Sequence, residues 1–156
     1  MIDIAHKESD LRELYRELIL DHARSPRHFG KLDGATHSAD GINPLCGDKL
    51  KLYFRLDDEA RIADACFEGS GCAISVASAS LLTETVTGMT VSEATDFFHT
   101  VTDSLSGRSV TAPMDLGKLR ALQGVKEFPS RVKCATLSWH AMNAALNQDK
   151  KPATTE

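Results

Sequence analysis

The sequence predicts a single domain that mixes β-strands with α-helices. Residues 49–68 alternate apolar and polar side chains as a strand hairpin does, whereas four other stretches place apolar side chains three and four positions apart, as amphipathic helices do. The chain has 156 residues, 42% of them hydrophobic and 26% charged, which suits one compact core better than two. We expect residues 1–148 to form this domain and residues 149–156 to be a flexible C-terminal tail.

The first predicted element is a helix over residues 10–24. Its buried stripe consists of Leu11, Leu14, Tyr15, Leu18 and Ile19. Asp10 is a suitable N-terminal cap, and Pro26 ends the helix because the residue before a proline is disfavoured in helical geometry. His22 continues the apolar stripe, so we interpret it as a packed or partly exposed helix histidine rather than a metal ligand.

The strands follow a loop-like stretch. Residues 36–40 are compatible with a short edge strand, and residues 49–56 form a half-buried strand with Leu50, Leu52, Phe54 and Leu56 on one face. A polar turn at residues 57–59 leads to a return strand over residues 61–68. In that strand Ala65 and Phe67 share a face, which leaves Cys66 on the other.

Helices fill the rest of the chain. A run rich in small residues from Cys72 to Gly88 predicts a helix packed closely on the sheet, and Thr90 with Glu93 predicts a capping box for a helix to about Ser104. Residues 108–129 predict loops around one small helix marked by Leu116, Leu119 and Leu122. A last helix, capped by Ser130, continues to about residue 146 and places Cys134 in its first turn.

Charge and hydropathy exclude several classes of function. The net charge of −4 and the isoelectric point near 5.8 argue against a nucleic-acid partner, because phosphate binding needs a clustered excess of Lys and Arg. The N-terminal region has no basic stretch followed by an apolar one, and no run reaches the roughly 18 apolar residues of a membrane span. We therefore expect a cytoplasmic protein with no membrane partner.

Three of the four cysteines, Cys46, Cys72 and Cys134, lie at predicted element boundaries, where backbone amides favour thiolates and where loops converge at one end of a sheet. Asp48 adds a carboxylate on the same Pro- and Gly-containing turn as Cys46. Three thiolates and a carboxylate suit Zn²⁺, and they would hold iron or a cluster if one ligand were exchanged. The spacing contains no CxxC pair, so it equally allows cysteines that merely fill the core.

Three segments are similar to the cysteine motifs of the IscU/NifU-like family of iron–sulfur cluster assembly proteins. They read Asn-Pro-Leu-Cys-Gly-Asp at residues 43–48, Gly-Ser-Gly-Cys-Ala-Ile-Ser at 69–75 and Arg-Val-Lys-Cys-Ala-Thr-Leu at 131–137. Within the family the chain most resembles the SufU type. Lys133 precedes the last cysteine where scaffold IscU proteins have His, and an insertion at about residues 108–128 separates the second and third motifs.

The resemblance implies an α+β fold, with a small antiparallel sheet of about three strands packed against four to six helices. It also implies a Zn²⁺ site with the ligands Cys46, Asp48, Cys72 and Cys134, the alternative cofactor being an Fe–S cluster. The implied partner is a cysteine desulfurase of the SufS type, with downstream Fe–S scaffold proteins as further partners. In the implied mechanism a histidine of the desulfurase takes a place on the zinc, and the freed Cys46, the catalytic residue, accepts the persulfide sulfur.

Two other functions stay open beside this zinc-dependent sulfurtransferase. One is a scaffold on which an Fe–S cluster is assembled, although the protonated ammonium of Lys133 is a poor iron ligand. The other is a non-catalytic, zinc-stabilised adaptor of the desulfurase. Whether the chain is an enzyme or a co-substrate and activator of its partner is also open.

The remaining polar candidates have less defined roles. Arg131 and Lys133 flank Cys134, either as solvent-facing residues or as supporting residues, Arg131 by orienting a carboxylate or stabilising sulfur-bearing anions. Cys66 matches no motif position and is interpreted as structural, with a secondary sulfur relay as the alternative. His140 is better suited to a surface or interface role than to metal binding.

Overall fold

The computed structural model describes residues 4–107, 116–148 and 151–155, and it confirms the α+β fold. The described helices are α1 (Ile4–Arg24), α2 (Ala73–Val86), α3 (Val91–Leu105), a 3₁₀ helix (Gly117–Glu127) and α4 (Pro129–Leu146). The strands are β1 (His37–Asn43), β2 (Asp48–Leu56), β3 (Ile62–Ser70) and β4 (Ala153–Thr154). Residues 108–115, the first part of the predicted loop region, lie outside the described residues.

The sheet has the strand order β3-β2-β1-β4, one strand more than expected. β1, β2 and β3 form an antiparallel meander, and the two residues of β4 pair in parallel with Gly41 and Ile42 of β1. β1 is longer than predicted and is not an edge strand, because β4 covers its outer side. Part of the predicted tail is therefore held to the sheet, whereas the division into one domain and a tail stays a prediction.

The core lies between one face of the sheet and the helices. Leu52 and Phe54 of β2 are fully buried, as the alternation predicts, and α4 packs over β1 and β2. Trp139 of α4 is also fully buried, and its indole Nε1 donates a hydrogen bond of 3.1 Å to Ser78 Oγ of α2. α2 is thus tied to α4 while it contacts α1 and β3.

Two predicted helix starts are wrong. α1 begins at Ile4, so Asp10 lies inside the helix and is not its cap. α4 begins at Pro129 with Phe128 at the N-cap position, because proline's fixed φ suits the first helical residue. Ser130 is therefore not the cap, and Cys134 lies in the second turn rather than the first.

Two other helix starts are confirmed. Cys72 is the N-cap residue of α2, its sulfur accepting from the backbone N–H of Ser75 at 3.5 Å. Thr90 and Glu93 form the predicted capping box at the start of α3, in which each side chain accepts from the other residue's backbone N–H.

His22 packs α1 against α2, as its place on the apolar stripe predicts. The imidazole is fully buried, with Nδ1 2.7 Å from Ser80 Oγ and Nε2 3.5 Å from a Glu84 oxygen. Burial lowers the pKa of His22, and the charge of Arg27 acts in the same direction. Across the described parts of the chain, no helix is both long enough and apolar enough to cross a membrane.

Candidate metal centre

Cys46 is carried by the tight turn between β1 and β2. The two strands pair up to Asn43 and Asp48, so only residues 44–47 form the connection. Gly47 has φ 72°, a conformation that favours glycine, and it turns the chain back into β2. The turn leaves Cys46 exposed to solvent, and the neighbouring Leu45 is 68% exposed.

Two helices bring the other two motif cysteines to the same end of the sheet. Cys72, half-buried, lies where β3 passes into α2. Cys134 is fully buried in α4, and its Sγ is 3.5 Å from the carbonyl oxygen of Ser130, one turn earlier. Its Sγ is also 3.4 Å from the Cys46 Sγ, and no disulfide joins them.

Three candidate ligand atoms converge. One ligand atom each from Cys46, Asp48 and Cys134 lies within 4.8 Å of the others. Cys72 is not part of this trio, although its thiol helps to raise the pKa of the Cys134 thiol. The structure thus brings three of the four predicted ligands together and places the fourth at their side.

Asp48 is fully buried and is held by hydrogen bonds from three residues. Its Oδ1 accepts from the backbone N–H of Cys72 at 2.9 Å, and its Oδ2 accepts from Ser75 Oγ at 2.7 Å. The Asn43 amide Nδ2 donates to the same Oδ2 at 3.3 Å and to the Cys134 sulfur at 3.6 Å. A buried carboxylate needs such donors, which also fix the direction of its remaining lone pairs.

Ser75, Asn43 and Gly71 are site residues to which the sequence analysis gives no role. Ser75 and Asn43 are fully buried, and the Asn43 Oδ1 has no hydrogen-bond partner among the described residues. A Cβ atom on Gly71 would lie 2.8 Å from Oδ1 of Asp48, so glycine is required for the carboxylate to sit where it does. A sequence signal for two of them exists, since Gly71 and Ser75 both belong to the motif at residues 69–75. Ser75 also lies three residues after the N-cap residue Cys72.

The electrostatics of the cluster favour a bound cation. Burial raises the pKa of the Cys134 thiol far above its usual value, and so do its contacts with the Cys46 and Cys72 thiols and the charges of Cys72 and Asp48. Several thiolates and a carboxylate cannot all be ionised this close together without a positive charge among them. A metal ion supplies that charge.

The donor set and spacing fit Zn²⁺. Thiolates about 2.3 Å from a tetrahedral zinc lie roughly 3.8 Å apart. The separation of 3.4 Å between the sulfurs of Cys46 and Cys134 is close to this value. The residues that would hold the ion are Cys46, Asp48, Cys72 and Cys134; the assignment of all four as ligands stays a prediction.

The other candidate residues lie outside the trio. Arg131 is exposed in the first turn of α4, and Lys133 is partly buried. Cys66 faces away from the core on β3, directly opposite Tyr53 of β2, and burial followed by the charge of Asp64 raises its pKa. His140 packs against Phe98 with 5.3 Å between ring centroids, and burial lowers its pKa.

Comparison with known proteins places this site in a family context. Residues 14–135 match the family model described as the NifU-like N-terminal domain. The zinc-dependent sulfurtransferase SufU of Bacillus subtilis (strain 168) is 40% identical over 142 residues, which cover 91% of this chain and 95% of that protein. The iron–sulfur cluster assembly scaffold protein IscU of Streptococcus pyogenes serotype M1 is 37% identical over 140 residues, which cover 90% of this chain and 87% of that protein.

A solved structure shows the same fold. The crystal structure of FiSufU from the thermophile Fervidobacterium islandicum AW-1 superposes with a TM-score of 0.77 at 35% identity, covering 86% of this chain and 98% of that one. Relatives of similar identity thus bear the names of a sulfurtransferase and of a scaffold. Overall sequence similarity therefore does not distinguish a sulfurtransferase from a scaffold. The distinction depends on the residues of the site.

Proposed function

Because the chain belongs to the NifU-like N-terminal domain family of iron–sulfur cluster assembly proteins, we propose that it is a zinc-dependent sulfurtransferase supplied by a SufS-type cysteine desulfurase. The observation that carries the proposal is the asymmetry of the cluster. Cys46 lies exposed on a turn, while the two groups nearest to it, Asp48 and Cys134, are fully buried. The Cys46 thiol can therefore contact a persulfide carried by another protein while Asp48 and Cys134 stay in position.

The transfer needs only a thiolate and a persulfide. Sγ of Cys46 attacks the outer sulfur of the desulfurase persulfide, forming a new S–S bond as the original S–S bond breaks. The desulfurase cysteine leaves as a thiolate, so no external oxidant or reductant is required. When bound at Cys46, Asp48, Cys72 and Cys134, zinc supplies the positive charge that keeps the thiols ionised.

The chain's own residues prepare Cys46 for this role. The residue 44–47 turn presents the thiol outward, and the anchored ends of the turn at Asn43 and Asp48 limit how far it moves. Asp48, with both oxygens already accepting hydrogen bonds, is a harder and weaker ligand than a thiolate. A zinc site that contains a carboxylate ligand exchanges its ligands more easily than a site formed by four cysteines.

The first experiment follows the sulfur. With a SufS-type desulfurase and free cysteine, we expect Cys46 to gain the mass of one sulfur atom, and Cys46→Ala to reduce sulfide release to that of the desulfurase alone. Cys66→Ala is the matched control, because Cys66 lies outside the cluster, and it should retain full stimulation. Stimulation that survives Cys46→Ala would instead identify a non-catalytic adaptor.

The second candidate is a scaffold for cluster assembly, favoured by the similarity to IscU proteins. Lys133 argues against the scaffold function, since the residue before the last cysteine carries an ammonium group, a poor iron ligand, rather than an imidazole. Anaerobic purification followed by metal and sulfide analysis separates the candidates. Zinc close to one per chain is the expected result, and stoichiometric iron and sulfide with little zinc would overturn the sulfurtransferase proposal.

A further inference from the structure

An apolar groove with cationic edges runs beside the metal centre. Two adjoining cavities, of about 540 and 590 Å³, form it between α1 and the 3₁₀ helix, over the first turn of α2. The cavities share four lining residues: Ile19, Ile74, Ala121 and Gly124. Because these side chains are small or aliphatic, the floor of the groove offers apolar contact and almost no hydrogen bonding. We refer to this feature as the α1–3₁₀ groove.

The edges of the groove are positively charged. The five cations that line them are Arg12, Arg16, Arg120, Lys126 and Arg131. No Asp or Glu of the described chain lines either cavity, although the protein as a whole has a net charge of −4. Positive charge is thus concentrated at this groove although the protein as a whole is negative. A negatively charged occupant would be complementary to it.

The groove also leaves apolar surface uncovered. Phe128, which lines its second cavity, is 58% exposed. A Cβ atom built on Gly124 would meet nothing within 4 Å, so the space above this glycine is open. An occupant therefore needs apolar side chains as well as carboxylates, which a polypeptide segment provides and a small anion does not.

The groove is lined in part by residues close in sequence to two of the predicted metal ligands. Ala73, next to Cys72, lines its second cavity, and so does Arg131, one turn before Cys134 in α4. A chain lying in the groove therefore contacts the first turns of α2 and α4, the two helices that bring Cys72 and Cys134 to the cluster. A sulfur donor must approach Cys46 closely, so the desulfurase is the partner best suited to occupy the α1–3₁₀ groove.

We propose that the α1–3₁₀ groove is the docking site for an acidic segment of the SufS-type desulfurase that also carries apolar side chains. This inference rests on the proposed function, because it takes the desulfurase to be the sulfur donor. The segment's carboxylates pair with the cationic edges while its apolar side chains cover Ile19, Ile74 and Phe128. Docking in the groove orients the two proteins, and the chemistry takes place at Cys46.

The charge arm of the test uses the double substitution Arg16→Glu with Lys126→Glu. We expect its dissociation constant for the SufS-type desulfurase, measured by calorimetry, to rise about tenfold or more, since reversing charges at an interface creates repulsion. In the sulfide-release assay KM for the variant should rise similarly, with kcat at saturation close to that of the unmodified chain. Lys118→Glu, the same change on the same 3₁₀ helix but outside the groove, is the control and should bind normally.

The steric arm uses Gly124→Leu, a substitution at a position where an added Cβ meets nothing within 4 Å. It should weaken desulfurase binding without lowering the urea midpoint, and Gly124→Ala should weaken it less. If the groove variants all bind like the unmodified chain while Cys46 still takes up sulfur, the groove is not the docking site and the proposed function stands. If the unmodified chain does not bind the desulfurase, both proposals fail.

Discussion

At the scale of single residues, three hydrogen bonds hold Asp48 in place at the candidate metal centre. Ser75 makes the shortest of these, 2.7 Å to Oδ2, and its backbone N–H also contacts the Cys72 sulfur. Residues that hold metal ligands in place are known to affect metal affinity strongly. We therefore expect Ser75 to position two of the predicted ligands, Asp48 and Cys72.

We predict that Ser75→Ala lowers zinc affinity by about 10- to 100-fold, as loss of such a positioning contact typically does. Competition with a chromophoric chelator measures the affinity. Ser78→Ala is the matched control, because Ser78 is another buried serine of α2 whose hydroxyl contacts Ala135 and Trp139 instead of Asp48. Equal zinc affinities for the two variants would contradict the role given to Ser75.

A second prediction concerns Tyr53 on the outer face of the sheet. Burial raises the pKa of Tyr53 to about 12, helped by its hydrogen bond to Glu68 and by the charge of that carboxylate. The folded state thus holds the phenol proton more tightly than the unfolded chain, where the pKa is about 10. The resulting stabilisation is complete below pH 10 and is lost as the pH rises from about 10 through 12.

Tyrosinate absorbance in an alkaline titration tests this shift. We expect one of the two tyrosines to ionise near pH 12, and Tyr53→Phe to remove that step. Glu68→Gln keeps a hydrogen-bonding group but removes the charge, so it should move the step to lower pH. A titration in which Tyr53→Phe removes a step near pH 10 would show that the phenol is not perturbed.

The residue identities at the site were predictable, whereas their supporting contacts were not. The cysteine motifs predict Cys46, Asp48, Cys72 and Cys134, and the fold brings all of these except Cys72 into one cluster. Asn43 and Ser75 were visible in the same motifs, but the hydrogen bonds they make depend on distances across three elements. Sequence spacing does not encode such distances.

At the scale of elements, the passage from β3 into α2 is the most constrained segment. Gly69 has φ 126°, and a Cβ there would lie 2.1 Å from the carbonyl oxygen of Lys49. Gly71 lies against Asp48, and Cys72 then begins the helix. The two glycines let β3 end close to β2, so that the helix start meets the carboxylate.

We predict that Gly71→Ala displaces Asp48 and lowers zinc affinity, because the added methyl group would lie 2.8 Å from Oδ1 and 3.1 Å from the Ser75 Cβ. Chelator competition reports the affinity, and urea denaturation reports any general loss of stability. Gly124→Ala, whose added methyl group meets nothing within 4 Å, should leave zinc affinity unchanged. An unchanged affinity in Gly71→Ala would show that the carboxylate moves aside at no cost.

Helix and strand types were predicted better than their ends. The Thr90 and Glu93 pattern located the start of α3, because both partners of a capping box are local in sequence. The start of α4 was misplaced, because Pro129 is itself a good first helical residue and moves the N-cap back to Phe128. β4 was missed because two residues carry no periodicity, and only β1 gives them a partner.

At the scale of the whole molecule, the core and the metal centre are largely separate. The buried cluster extends from Leu52 in the sheet to Trp139 in α4 and includes side chains of every described α-helix after α1, while the thiols lie at one end. Apolar burial of this kind stabilises the fold without a metal ion. We therefore expect the protein to differ from small zinc domains that unfold when the ion is removed.

We therefore predict that chelation leaves the helical circular dichroism signal nearly unchanged. Hydrogen exchange should increase only around residues 43–48 and 69–75 and the start of α4, where the ligands lie. Re-addition of zinc should restore protection in the same segments. Complete loss of the helical signal in the metal-free protein would show that the ion holds the core together.

The burial of the three motif cysteines is graded: Cys46 is exposed, Cys72 is intermediate and Cys134 is buried. The exposure of each sulfur to solvent therefore sets the order in which reagents reach the three thiols. A large alkylating agent should label Cys46 first and Cys134 last, and a dissolved oxidant should follow the same order. Oxidative damage would then fall first on Cys46, the thiol that we propose accepts sulfur, while the Cys134 sulfur in α4 is spared.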